Sequence, residues 1–379
     1  MFDYETLKLI WWVLVGVLLI GFALTDGFDL GAVILMPLIG RTDSERRVVL
    51  NTIGPHWEGN QVWLVTAAGA LFAAWPIVYA ASFSGFYWAM MLVLFALFAR
   101  PLGFDYRSKL DNPNWRSRWD WALCLGSFVP ALVFGVAFGN LFLGVPFMLD
   151  NTMRISYTGN FWGLLNPFAI LAGLVSLTML MTHGATWLMM RTDKQVLQRS
   201  RTATQILSTA YLITFIAAGL WLWFGIQGYS VISVIDFNGA IDPLSKVVEQ
   251  NNPGWMANYT QYPIMRIAPI VGIIGGVLAL LGATINRSAL AFLGSSLAIS
   301  GTICTAGFAL FPFLMPSSID FASSLTMWDA VSSHKTLGIM FIAAAIFVPI
   351  ILVYTLWSYI KMWGTVKVAD IDGDPHGLY

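Results

Sequence analysis

Long apolar runs follow one another along this chain almost without a charged residue, and few folds are open to such a pattern. Residues 9–40 carry two charges, Asp26 and Asp29, and residues 48–99 carry only Glu58. Charge-free runs occupy 121–149, 155–190, 202–235, 288–319 and 336–360, and 254–286 is interrupted only by Arg266. A helix needs about 20 apolar residues to cross a hydrocarbon core about 30 Å thick. The stretch 48–99 is too long for one crossing, and Trp75-Pro76 breaks it into two helices joined by a tight turn. The spacing predicts an all-α integral membrane protein of nine transmembrane helices. It forms a single polytopic domain over 1–379, with helices one to four over about 9–149, five to eight over about 155–319 and the ninth over about 336–360.

The basic residues orient these helices. Fifteen of the twenty Lys and Arg residues fall on one face of a nine-helix arrangement: Arg41, Arg46, Arg47, Arg100, Arg107, Lys109, Arg116, Arg118, Arg191, Lys194, Arg199, Arg201, Arg287, Lys361 and Lys367. The positive-inside rule then puts the N-terminus outside and the C-terminus inside. The start, MFDYETLKLIWW, has no basic region and no small-residue cleavage site after the apolar stretch, so helix one is expected to be retained. No soluble domain is expected; the longest polar segment, about 236–262, reads as an outer loop. Charged residues make up 11% of the chain against roughly 25% in soluble domains. Twenty acidic residues balance twenty basic ones, so no net field recruits nucleic acid. Cys124 and Cys304 sit singly in apolar runs and form no disulfide framework. The seventeen tryptophans fit interfacial belts.

The first and fifth helices echo one another. Gly16, Thr25 and Gly27 match Gly173, Thr182 and Gly184 at a common offset, and Ala67-Ala68-Gly69 meets Ala217-Ala218-Gly219. Two related four-helix units plus a ninth helix would explain this; so would the general abundance of small residues in membrane helices.

Ionisable groups inside a bilayer cost several kcal/mol and mark pathways, or hold helices together. Asp26 and Asp29 in TDGFDLG lie one turn apart on one helix face, with Asp26 near the midplane. PHWEGNQVW sets His56, Glu58, Asn60 and Gln61 in the next apolar run. At a rise of about 1.5 Å per residue, Asp29 and Glu58 each lie roughly 16 Å from the shared basic loop, so adjacent antiparallel helices would bring both carboxylates to one depth. Such a pair suits a proton relay; capping or hydrogen bonding near Gly27 and Gly59 is the plainer reading. In RPLGFDYRSK, Arg100 to Lys109 leave helix three at the basic surface, where Asp105 and Lys109 form either a proton mouth or an interfacial salt-bridge cluster. On the opposite face Asp329, with the Ser and Thr residues of SLTMWDAVSS, reads as capping chemistry at the start of helix nine.

Each heme iron needs an axial His or Met, and the chain has four histidines. His376 lies in the tail and His334 at the outer mouth of helix nine. His56 and His183 remain, and a lone membrane histidine is more often hydrogen-bonded within its bundle than bound to metal. No metalloprotease, phosphate-loop or catalytic-triad pattern is present, so no metal or catalytic centre is expected on this chain.

TDGFDLG at 25–31, HWEGNQVW at 56–63, GFDYRSK at 103–109, FPFLMPSS at 311–318 and SLTMWDAVSS at 324–333 resemble subunit II of the cytochrome bd-type ubiquinol oxidases. The likeness runs from MFDYETL to the final HGLY. It implies a subunit of a bacterial inner-membrane terminal oxidase that passes electrons from quinol to dioxygen, contributing to proton-motive force. The family fold it implies is two four-helix bundles plus a peripheral helix, paired with subunit I. The resemblance further implies that two b hemes and heme d are ligated by subunit I, and that small single-helix accessory subunits, lipid and quinone are partners. A structural quinone in this subunit is also implied, with no residue to place it. Proton access carries over to Asp26, Asp29 and Glu58, and to Asp105, Lys109 and the terminal Tyr379. His56, Asn60, Gln61, Arg100 and Asp329 are supporting polar groups.

Two other readings compete. A stand-alone secondary transporter would favour inverted repeats, whereas helices one and five run in the same direction. A scaffold would use Asp26, Asp29 and Glu58 only to hold helices.

Overall fold

The computed structural model describes residues 2–239 and 241–373. Helix α1 (Tyr4–Ile39) starts from an N-cap at Asp3, whose carboxylate accepts the Thr6 amide, and ends at Gly40. Helix α2 (Asp43–Ile53) opens on a capping box in which Thr42 and Glu45 satisfy each other's backbone amides. Helices α3 (Trp57–Ala74), α4 (Pro76–Gly85) and α5 (Tyr87–Tyr106) follow. Helix α6 (Pro113–Leu143) starts at an Asn112-Pro113 cap and α7 (Pro167–Arg191) at an Asn166-Pro167 cap; proline suits a first turn that has no amide partner to lose. Then come α8 (Lys194–Gly225), the short α9 (Ala257–Gln261), α10 (Ile267–Thr284), α11 (Ser288–Leu310), α12 (His334–Lys361) and α13 (Val368–Gly373).

Eight of these are long and apolar enough to cross a membrane: α1, α5, α6, α7, α8, α10 with the turn before it, α11 and α12. Helix α3 falls outside that set, with 18 residues and Glu58, Asn60 and Gln61 near its start. Two boundaries differ from the sequence reading. The expected tight turn at Trp75-Pro76 is the ten-residue helix α4, because proline both ends α3 and supplies a ready first turn for the next helix. The second apolar run is also not one helix from residue 48. It breaks at Gly54-Pro55-His56 into the charged α2 and the apolar α3.

Helix α1 packs against α3, α6, α7 and α11, whereas α7, α8, α10 and α11 close a ring, each on the next. A close crossing joins α1 to α7. A Cβ on Gly31 would overlap the Leu180 carbonyl, and one on Gly184 would overlap the backbone at Gly31 and Ala32. Only glycine lets these two backbones touch. Asn286, in the left-handed region at φ 59°, makes the short turn between α10 and α11.

The segments between long helices gather at one end as a cap. There β1 (Phe147–Leu149) pairs with β2 (Ile155–Tyr157), β3 (Gly228–Val231) with β4 (Val248–Asn251), and β5 (Phe313–Met315) with β6 (Leu325–Thr326), all antiparallel. The cap buries Trp75, Trp255, Phe147, Met315 and Leu325. The arginine-rich turns lie at the other end, called here the basic end.

Candidate functional site

The polar interior begins on α1. Asp26 and Asp29 are both wholly buried, one turn apart. Asp26 is met by Arg100 of α5 in a two-pronged ion pair, Nη2 to Oδ1 at 2.6 Å and Nη1 to Oδ2 at 2.9 Å. Arg100 also lies over the Trp57 ring, 5.7 Å from its centroid. Arg100 was expected at the basic surface, leaving helix three; it is instead fully buried. An isolated carboxylate at this depth would be costly, and the planar guanidinium is the side chain that answers both carboxylate oxygens at once.

Asp29 has a different partner from the one its depth implied. Asn60 Nδ2 donates to its Oδ2 at 2.8 Å, while Oδ1 has no hydrogen-bond partner among the described residues. Glu58, expected beside Asp29, is exposed on α3. Two residues on a helix are separated by about 200° of rotation, so a helix that turns Asn60 inward turns Glu58 outward. Gln61 is half-buried.

One contributor was not legible beforehand. Tyr359 of α12 donates its hydroxyl to Asn60 Oδ1 at 2.6 Å, completing a chain from Tyr359 through Asn60 to Asp29. The Tyr359 ring stacks on His56, centroids 4.3 Å apart and planes 10° apart. His56, at the α2–α3 break, is buried, and neither ring nitrogen has a hydrogen-bond partner among the described residues. Trp187 and Arg191 of α7 close this corner, with Arg191 between the Trp187 and Trp363 rings, 5.2 Å from each. In sequence Tyr359 is one more aromatic residue near a helix end, with nothing to separate it from an interfacial belt.

At the basic end Asp105 and Lys109 are exposed. The ion-pair cluster there is built from their neighbours. Arg107 reaches Asp120 at 2.5 Å and Asp43 at 2.8 Å, Arg46 reaches Asp120 at 2.8 Å, and Arg116 reaches Asp43 at 2.7 Å. Burial opposes the charge on Arg107, but Asp120 and Asp43 outweigh it and raise the guanidinium above its ordinary value. Tyr379 and His376 lie outside the described residues.

At the cap end Asp329 does not cap α12. Ser333 does, accepting the Thr336 amide. Asp329 accepts the Thr326 amide at 3.0 Å and faces Lys246 Nζ at 3.0 Å. Burial raises the Asp329 carboxyl and lowers the Lys246 ammonium, each offset only in part by the other. Lys8 is buried nearby, donating to the carbonyls of Phe237 and Trp328. Residues within the 236–262 loop are thereby tied to α1 and to the approach to α12.

Among the described histidines, His183 and His334 are engaged by groups of this chain. His183 Nε2 donates to the Leu24 carbonyl at 3.0 Å, and Nδ1 faces the Ser295 hydroxyl at 2.8 Å, so both nitrogens are engaged. His334 is bonded to the Phe2 carbonyl at 2.9 Å, and one face of His56 is covered by Tyr359. Among the described residues no group of three or more His, Cys, Asp or Glu side chains is placed to hold a metal ion.

The family model for cytochrome bd terminal oxidase subunit II matches residues 7–362. Over all 379 residues, with both chains fully covered, the sequence is 54% identical to cytochrome bd-I ubiquinol oxidase subunit 2 of Escherichia coli K12. It is equally 54% identical over 379 residues to the probable cytochrome oxidase subunit 2 of Haemophilus influenzae. Cytochrome bd ubiquinol oxidase subunit 2 of Bacillus subtilis is 32% identical over 361 residues, covering 92% of this chain and 94% of that one. In fold, the chain is similar to a chain of the bd oxidase from Geobacillus thermodenitrificans, with a TM-score of 0.70 at 13% identity, covering 94% of this chain and 98% of that one.

Proposed function

Because this chain belongs to the cytochrome bd terminal oxidase subunit II family, we propose that within the quinol:oxygen oxidoreductase it is the heme-free partner that completes subunit I and supplies protons from the cytoplasmic side. It is a multi-pass protein of the bacterial inner membrane, and the complex contains hemes b and d. In this reading subunit I ligates both b hemes and heme d, where quinol is oxidised and dioxygen reduced to water. A quinone held by this chain would be structural. Small single-helix subunits and lipid complete the assembly.

The proposal takes α3 as the ninth crossing. Helices α1, α3, α5 and α6 then form one bundle, α7, α8, α10 and α11 the other, and α12 is peripheral. The N-terminus and the cap face outward, and the basic end faces the cytoplasm.

The observation that carries the proton-supply role is Asp29: a buried carboxyl with one oxygen held by Asn60 and the other without a partner among the described residues, beside an Asp26 that Arg100 neutralises. Neutralising Asp26 leaves Asp29 as the group in this pair free to exchange a proton. Asp26 therefore serves through its charge and Asp29 as the carrier, with Asp105, Lys109 and Tyr379 proposed as the cytoplasmic mouth. Glu58 belongs to the other side of α3, on a stripe with Val62, Val65, Gly69 and Phe72 that is exposed in this chain. A carboxylate facing lipid there would cost about 2.5 kcal/mol or more, so this stripe is assigned to the surface that subunit I covers.

Purification of the tagged protein from native membranes, with a reduced-minus-oxidised visible spectrum, tests the assembly. Heme b and d bands arriving with a second large membrane subunit are the expected result; a colourless chain that purifies alone favours a stand-alone transporter. Asp29→Asn then separates proton supply from scaffolding. Lowered oxygen consumption at unchanged heme content supports the former, and loss of the hemes the latter.

A further inference from the structure

Helix α12 is the least buried of the long helices, with Leu337 and Gly338 its buried residues. Its apolar flank touches α1 and α3 at few places, yet at the basic end one side chain of α12 reaches the polar core. The Tyr359 hydroxyl donates to Asn60 Oδ1 at 2.6 Å, and Asn60 Nδ2 donates to Asp29 Oδ2 at 2.8 Å. The ring that carries this hydroxyl is held on several sides. It stacks on His56 and meets Trp187 and Phe28 edge-on, with centroids 6.3 Å and 6.4 Å away.

The direction of this chain of bonds is its significance. A carboxamide has one donor end and one acceptor end. With Tyr359 as donor, the carbonyl of Asn60 must face α12 and its NH2 must face Asp29. Turned the other way, Asn60 would present its carbonyl to Asp29 Oδ2, which only a protonated carboxyl oxygen can meet. With Tyr359 donating as observed, the amide favours the ionised form of Asp29 at Oδ2. Oδ1, with no hydrogen-bond partner among the described residues, is left as the oxygen for proton exchange. Arg100, Asp26, His56 and Arg191 are the other charged or titratable side chains around this cluster.

We propose that Asn60 and Tyr359 are positioning residues for Asp29, and that the peripheral helix α12 is retained at its basic end to set the orientation of a proton-carrying carboxyl. The inference deepens the reading of Asp29 as part of the proton supply and rests on it.

The test is a double-mutant cycle on the whole oxidase complex: Tyr359→Phe, Asn60→Leu and both together, with turnover measured across pH, heme content and the KM for quinol. Tyr359→Phe should move the pH profile of turnover by about half a unit or more at unchanged heme content and unchanged quinol KM. Asn60→Leu should move it in the same sense. The double variant should go no further than Asn60→Leu, because Tyr359 acts only through the amide. Tyr354→Phe, on an exposed part of the same helix, should leave the profile in place. A wild-type profile in Tyr359→Phe overturns the proposal, and so do displacements that add in the double variant. Should Tyr359→Phe lose its hemes, the Asn60→Leu profile decides alone, and an unmoved profile there overturns the proposal. Asp29→Asn separates the two levels of the argument. If it keeps full turnover, the proton-supply reading fails. The infrared carboxyl band that Asp29→Asn removes must still shift in Tyr359→Phe for the positioning inference to stand.

Discussion

Thr25-Asp26-Gly27 on α1 and Thr182-His183-Gly184 on α7 occupy matching places in the two halves of the sequence, and their glycine-bearing turns pack where the two helices touch. Around the first, the interior holds charge: a wholly buried aspartate–arginine pair and, one turn on, a second aspartate whose Oδ1 has no partner among the described residues. Around the second, the hydrogen bonds close on one another among the described residues. His183 is engaged at both ring nitrogens by Ser295 and Leu24, Thr186 bonds Ser295 at 2.8 Å, and the ring stacks on Phe292. The same small-residue frame that lets helices approach closely thus carries a charged pair and an incompletely bonded aspartate in one half and a closed polar contact in the other. A buried polar group signals function when its hydrogen-bonding capacity is left over, and signals packing when it is used up.

The largest effect should come from breaking the charge in the first half. Arg100→Met leaves Asp26 buried without its counter-charge, and removing one member of a buried pair costs about 3–5 kcal/mol. The expected outcome is a complex that fails to retain hemes, measured by the visible spectrum after purification. Adding Asp26→Asn in the same chain removes the orphaned charge and should restore most of the heme content. Were the double variant as depleted as the single one, Arg100 would matter for something other than pairing with Asp26.

Next in size is a purely functional loss. Asp29→Asn keeps the shape of the side chain and a partner for Asn60 but cannot carry a proton. Oxygen consumption should fall roughly tenfold or more, with hemes and thermal stability kept. The matching change in the second half, His183→Leu, should do the reverse. Stability falls by about 1–3 kcal/mol as Leu24 and Ser295 lose their partner, measured as a lowered thermal midpoint, while turnover per heme stays at the wild-type level. Equal losses of turnover in the two variants would erase the contrast between the halves.

How much of this was legible follows from what sequence spacing encodes. Apolar run lengths gave the long helices directly, because a bilayer imposes a fixed minimum length. Asp26 and Asp29 stood out since a charge in such a run is costly whatever surrounds it. Spacing does not encode which way a side chain turns after a helix break. The Gly54-Pro55-His56 interruption resets the phase of α3, so depth alone paired Asp29 with Glu58 when rotation pairs it with Asn60. Arg100 was misplaced for a related reason. Its position at the end of an apolar run reads as surface, but a long guanidinium side chain reaches back toward a charge, and Pro101 does not end α5 there. Tyr359 is separated from Asn60 by 299 residues, and aromatic residues near membrane helix ends are common enough that nothing marked this one.

The smallest predicted effect is the one that most sharpens the contrast. His183→Gln exchanges an imidazole for an amide that still offers one donor and one acceptor. Its NH2 can meet the Leu24 carbonyl and its oxygen can accept from Ser295. If His183 is only a polar contact, this substitution should cost less than about 1 kcal/mol and leave the pH profile of turnover where it was, because an amide replaces the hydrogen bonds without replacing the titration. If His183 takes up protons during turnover, the same substitution preserves the fold and removes a step, so oxygen consumption falls at constant heme content. The amide thus separates bonding from titration at His183 as Asp29→Asn does at the acid, and the two halves should answer in opposite ways.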